Sequence, residues 1–265
     1  LQYYNPVPRK PLPNDDLELQ LLWLVLAERR GWGLGYNDFA QAWLNNIPYD
    51  MDEYGIARWN LKRGLGPPLS GLHNNWFTDG MGAAIRSEIW ACLFPEQPET
   101  AAHFAALDAS VDHAGEGIRA EIFLAAAESA AISCAEPAEG LQAGLEVLEE
   151  PCRIGNVVEF VMDLYQRGTE LGRVREEIMG RFGSPNFTDC VMNVGFITAA
   201  LLYGEKEFGR TILTAVNFGM DSDCTGATAG AFLGIMLGES GIDSRWRQPL
   251  GDKLVCHPDM ASLAI

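Results

Sequence analysis

Between residues 14 and 30 the apolar positions, Leu17, Leu19, Leu21, Leu22, Trp23, Leu24, Val25 and Leu26, run nearly all round a helical repeat. A helix apolar on every side is buried in a core. Asn14 is a good N-cap for it, and Gly31-Trp32-Gly33 ends it at about Arg30. Before it, residues 1–13 carry four prolines and read as an extended arm. Tyr36 to Leu44 reads as a second, shorter helix. From Tyr49 to Asp79 the pattern breaks down: Gly64, Gly66, Pro67, Pro68, Gly71, Asn74 and Asn75 predict a long irregular connection. Such a loop is uncommon inside a compact domain unless it serves a site.

Helical periodicity then returns at about 84–94, 98–110, 116–134, 138–149, 155–167, 170–182, 188–203 and 206–217. After Gly219-Met220, the glycines 226, 230 and 234 fall on one helical face. Each costs about 1 kcal/mol against Ala in a helix, so the spacing predicts close approach of a neighbouring helix. No run alternates with period two, and no 20–50 residue repeat is evident. The pattern predicts an all-α protein, residues 1–265 forming a single domain.

With 48% hydrophobic residues the chain can build a large core. Its formal charge of −17 repels a phosphate backbone and argues against nucleic acid as a partner. No stretch of eighteen apolar residues exists, so no membrane partner is expected. The six cysteines have no C-x-x-C spacing and mostly sit among apolar residues, as Cys92 does after Ile89-Trp90-Ala91. That pattern predicts buried free thiols and a reducing, cytoplasmic location. The chain opens at Leu1 without Met, and loss of a leader would admit secretion instead.

The candidate chemistry lies in two acidic stretches more than two hundred residues apart, Asn14-Asp15-Asp16 and Asp221-Ser222-Asp223. If folding joins them, four carboxylates converge, which a protein interior tolerates only with cations among them. Oxygen donors favour Mg2+ (two sites), with Mn2+ or Ca2+ as alternatives. Taken separately, each stretch also reads as an ordinary polar helix start. His113 and Glu116, in and after a turn, are candidates for substrate contact or for capping; Arg86 reads as an ion-pair partner of Glu88 or as a phosphate ligand.

Gly219-Met220-Asp221-Ser222-Asp223-Cys224-Thr225 and the small-residue helix after it resemble the Gly-x-Asp-Thr-Asp segment of the ADP-ribosylglycohydrolase family. Asn14-Asp15-Asp16-Leu17-Glu18 resembles that family's Thr-Asp-Asp-Thr metal motif. Matches at Gly66-Pro67-Pro68, Asn74-Asn75, Gly82-Ala83-Ala84-Ile85-Arg86, His113 and Gly115-Glu116-Gly117 follow in the expected order. The resemblance implies an all-α orthogonal helical bundle and hydrolysis of a ribosyl (ADP-ribosyl) bond by a metal-bound water. It implies Asn14, Asp15, Asp16, Asp221, Asp223 and Thr225 as metal ligands, with Asp15, Asp16 and Asp223 catalytic. His73, Asp79, Gly80, Gly82, His113, Gly115 and Glu116 would line the substrate, a small molecule or an ADP-ribosylated protein.

Three departures stand out. Asn14 replaces Thr, Cys224 falls where many members have a metal-binding Thr, and no Gly-Asp-x-x-Gly segment with a nearby Glu precedes Asn14. The last implies either that the family's N-terminal segment has been trimmed from this chain or that the site lacks that acid and catalysis is weakened or altered. A hydrolase of another riboside or sugar glycoside, or a non-catalytic metal-stabilised binding protein, is the alternative expectation.

Overall fold

The computed structural model describes residues 12–251, 254–258 and 260. Among the described residues there are helices and no strands, so the protein is all-α. The predicted arm over residues 1–13 lies almost wholly outside them.

Helix α1 (Asp15–Arg30) is capped by the Asn14 Oδ1, which accepts from the Leu17 N–H at 2.9 Å. Asp15, Asp16 and Glu18 in its first turn and Arg29 and Arg30 in its last both complement the helix dipole. Helix α2 (Tyr36–Asn46) follows. Trp23, Phe39, Trp43 and Trp90 are fully buried together in the core around these two helices.

The irregular connection expected over 49–79 is corrected here: it contains helix α3 (Asp52–Lys62) and a single turn, α4 (Leu69–Leu72). Tyr54, Ala57 and Leu61 bury one face of α3. The remainder is an ordered turn. The Asn60 side chain donates to the carbonyls of Ser70 and His73, and Asn75 donates to those of Gly71 and Asp112.

A 3-10 turn (Ala84–Arg86) leads into α5 (Glu88–Leu93), then α6 (Pro98–Ala109), α7 (Glu116–Ala131), α8 (Pro137–Val147), α9 (Arg153–Gln166), α10 (Leu171–Phe182), α11 (Cys190–Tyr203), α12 (Phe208–Phe218), α13 (Ser222–Gly241) and α14 (Ser244–Arg247). Helix α11 is buried from Cys190 through Leu202, and α7 joins the two hydrophobic clusters, placing Leu124 in one and Ala125 in the other. The small-residue face of α13 meets α12 as expected: a Cβ on Gly226 would stand 2.8 Å from Val216 Cγ2, and one on Gly230 3.3 Å from Ile212 Cδ1.

The expectation of buried cysteines holds only in part. All six thiols are free, but only Cys152 and Cys190 are buried, and Cys92 is exposed at the end of α5. Its apolar neighbours Ile89 and Ala91 lie on other faces of the same helix, which local composition does not distinguish. No helix among the described residues is long and apolar enough to cross a membrane.

Candidate active site

The two acidic stretches form the starts of α1 and α13, and the fold brings these starts to one place. Asp16 and Asp223 line the same cavity, of about 430 Å³, with Asn14, Gln20 and Glu88. A larger cavity of about 660 Å³, between α6, α7 and α8, shares no residue with the acids. Gly219 and Met220, with φ of 77° and 60°, make the left-handed turn that aims Asp221 inward. Asp221 is the N-cap residue of α13 but makes no side-chain capping bond, so its carboxylate faces its neighbours.

Ligand atoms of Asp221, Asp223 and Cys224 lie within 4.8 Å of one another. Asp15 and Asp16 fall outside that tight set. Their presence is registered electrostatically: burial, Asp15, Asp223 and Glu53 push the Asp16 carboxyl up to about 7 against the lowering effect of Arg86. Burial likewise raises Asp221 to about 6, with Asp223 and Glu53 adding to it and a hydrogen bond from Cys224 opposing it. Acids held this way repel one another and would be relieved by a cation.

The donors suit a hard cation. Every candidate ligand offers oxygen, and burial beside Asp221, Asp16 and Asp223 raises the Cys224 thiol far out of the ionising range. Cys224 is therefore a protonated hydrogen-bond donor to Asp221, and a soft thiolate is not on offer. Thr225 is buried on α13, its hydroxyl 3.4 Å from the Ser222 carbonyl.

On the other side of the acids the loop residues converge on His113, whose ring is fully buried. Four glycines surround it. A Cβ on Gly71 would stand 2.2 Å from the His113 carbonyl oxygen, on Gly80 3.6 Å from Nε2, on Gly82 3.3 Å from Cε1, and on Gly117 2.9 Å from Cδ2. His113 Nδ1 lies 3.0 Å from Asp112. Asp112 and Asp108 in turn grip Arg86: Nε to Asp108 at 2.9 Å, Nη1 and Nη2 to Asp112 at 3.0 and 2.6 Å, with Nη1 also donating to the Gly82 carbonyl at 2.9 Å. Arg86 is thus an internal ion-pair anchor, and its partners are Asp108 and Asp112 where the sequence suggested Glu88. Burial tends to raise Asp112, but Arg86 and His113 outweigh it and hold the carboxyl at about 2.

The remaining substrate candidates have structural roles as well. Glu116 accepts from the Ile154 N–H at 2.9 Å, tying the start of α7 to α9. Asp79 accepts from the Glu116 N–H at 3.2 Å, and its carbonyl accepts from Cys190 at 2.8 Å. Gly115 turns the chain into α7 with φ of 56°. His73 is exposed, and its carbonyl serves Asn60. The backbone N–H of His257 donates to Glu18, and its ring meets that of Tyr49.

Sequence reasoning missed Glu53. It stands at the start of α3 with its Oε1 only 2.1 Å from the point where a Gly82 Cβ would be, and its charge acts on both Asp16 and Asp221. No motif marks it; the one available signal was an acid opening a short amphipathic segment, Asp52-Glu53-Tyr54.

Helices, with no strands among the described residues, and oxygen donors gathered at two helix starts beside a glycine-lined histidine define an all-α protein with an acidic centre. The chain belongs to the ADP-ribosylglycohydrolase family, whose sequence profile matches residues 2–264. The family is one of hydrolases, and the all-α fold it implies is the fold observed. A comparison with curated proteins found no match.

Proposed function

We propose that the protein is a metal-dependent glycohydrolase that cleaves a ribosyl, in the first instance ADP-ribosyl, glycosidic bond by attack of water. The observation that carries this reading is that Asp16 and Asp223 line one cavity while Asp221 lies within 4.8 Å of Asp223, with burial and mutual repulsion raising Asp16 and Asp221. Asn14, Asp15, Asp16, Asp221 and Asp223 would hold the cation, Mg2+ by donor hardness. When bound, it lowers the pKa of water and orients sugar hydroxyls. The chain's own residues do the rest. Asp15, Asp16 and Asp223 orient the attacking water and the ribose. The turn Asp79–Gly82 and the His113–Glu116 segment present backbone and small side chains to the substrate, and the apolar wall of Leu17, Ile85 and Ala227 limits water.

A second reading, hydrolysis of another riboside or sugar glycoside, is favoured by the lining of the 430 Å³ cavity, which includes Asp16, Glu88 and Asp223 but no Lys or Arg. Such a wall suits a neutral sugar better than a diphosphate.

The test is release of ADP-ribose from ADP-ribosylated protein and from O-acetyl-ADP-ribose, with and without Mg2+. Mg2+-dependent release supports the first reading. Turnover of a simple riboside alone supports the second. No turnover of either, with Mg2+ still bound, refutes both and leaves a metal-stabilised binding protein.

A further inference from the structure

We propose that Glu53 completes the acidic centre from the loop side and takes the proton of the attacking water, with His113 as its positioning residue. This rests on the glycohydrolase reading above and adds to it an acid from the start of α3, ahead of the family match at Asn60-Leu61.

Geometry makes the case. The Glu53 carboxylate and the Cε1–Nε2 edge of His113 occupy the same side of the Gly80–Gly82 turn, within 2.1 and 3.3 Å of the position a Gly82 Cβ would take. A side chain at 82 would have to displace the Glu53 carboxylate from its place beside the His113 ring. His113 is fully buried and neither of its ring nitrogens has a well-formed hydrogen bond, a costly condition unless a group at the site receives one. Its other nitrogen lies 3.0 Å from Asp112, and Arg86 fixes Asp112 with two bonds. The ring therefore lies between the Asp112 carboxylate on one side and the Glu53 carboxylate beside Gly82 on the other.

Glu53 makes no ion pair with a Lys or Arg among the described residues and is partly buried, and burial pushes its carboxyl above the ordinary value. An ordinary helix-start acid would point along its own first turn; this one lies against a turn some thirty residues away. Gln20 and Glu88, which line the cavity on the far side, are already bonded to each other at 3.1 Å.

The step balances. A lone pair of the water oxygen forms the new bond to the anomeric carbon, and the bond to the leaving group breaks with its electron pair. Glu53 accepts one water proton, which then neutralises the departing group. His113 touches no reacting atom and acts on the Glu53 carboxylate by packing beside it at Gly82 and through its charge.

The test uses the whole protein with Mn2+ as probe, followed by calorimetry, together with hydrolysis of O-acetyl-ADP-ribose and a chromogenic ribofuranoside. Glu53→Gln keeps size and should lower kcat about 100-fold or more with KM little changed. It should also weaken Mn2+ binding by about 10-fold, as loss of an outer ligand-orienting group does. Glu53→Asp should fall between it and the wild type, and His113→Gln should lower kcat without raising KM. Glu159→Gln, on an exposed face of α9, is the control and should change nothing. Wild-type kcat in Glu53→Gln overturns the proposal. If the wild type binds Mn2+ but hydrolyses neither substrate, the glycohydrolase reading and the proton transfer fall together. Glu53 then keeps its place in the centre only if Glu53→Gln weakens Mn2+, and unchanged Mn2+ affinity removes that too.

Discussion

Replacing Arg86 by Met tests whether the buried charge network beneath the site holds the fold as its geometry requires. The guanidinium has no exposed surface and lies 2.6–3.0 Å from oxygens of Asp108, Asp112 and Gly82. Met fills most of the volume but leaves the buried Asp108 carboxylate without its Arg partner and Asp112 with only His113 beside it. Breaking a buried pair by removing one partner costs about 3–5 kcal/mol. An orphaned buried carbonyl such as Gly82 adds about 1–3 kcal/mol, although the two are not additive at one side chain. Against a total stability of about 5–15 kcal/mol, the loss should be roughly a third or more. Urea unfolding followed by circular dichroism at pH 7 should show it as a lower midpoint with an unchanged slope. With Arg86 gone, Asp112 loses the main influence that holds it near pH 2 and regains its proton more readily, so the deficit should shrink on acidification toward pH 5. A loss below about 1 kcal/mol at pH 7 would be the value of a surface pair and would refute the reasoning.

Two smaller perturbations probe the same region. Gly71→Ala would set a Cβ 2.2 Å from the His113 carbonyl oxygen and 2.7 Å from its nitrogen, both backbone, so about 1–3 kcal/mol of overpacking strain should appear in urea unfolding. Trp90→Phe removes the 3.0 Å bond from indole Nε1 to Asp108 in a fully buried setting and should cost about 1.5–3 kcal/mol by the same assay.

The fold was legible wherever a cap and an apolar run coincide. Asn14 with the leucines after it marks α1 at both ends, and Gly219 before the small-residue face marks the start of α13, to within a residue or two. Helix α3 escaped because its N-cap, Met51, makes no side-chain bond and its buried positions, Tyr54, Ala57, Asn60 and Leu61, are few and end in the glycines and prolines that follow. The acids at the two helix starts were readable as motif residues. Glu53 was not, because what marks it is its position against Gly82, and such a contact leaves no local trace. Arg86 shows the same limit: Glu88 is near in sequence, whereas Asp108 and Asp112, its partners, follow it by 22 and 26 residues.

The central claim is that the acids of α1 and α13 form one cation site, and thermal unfolding across pH tests it. Asp16 and Asp221 have folded pKa values raised to about 7 and about 6, so their stabilising contribution is complete below their ordinary value near 3.8. It is lost as pH rises through 6 and 7, and without divalent ions the melting temperature should fall between pH 5 and pH 8. The decisive measurement is the melting temperature at pH 8 with and without Mg2+, for the wild type and for the double variant Asp16→Asn/Asp221→Asn. At Mg2+ about 100-fold above Kd the wild type should gain about 2.7 kcal/mol, or about 5–10 °C. The double variant should gain nothing and, without Mg2+, should melt above the wild type. An equal Mg2+ gain in both proteins, or none in the wild type, would contradict the account.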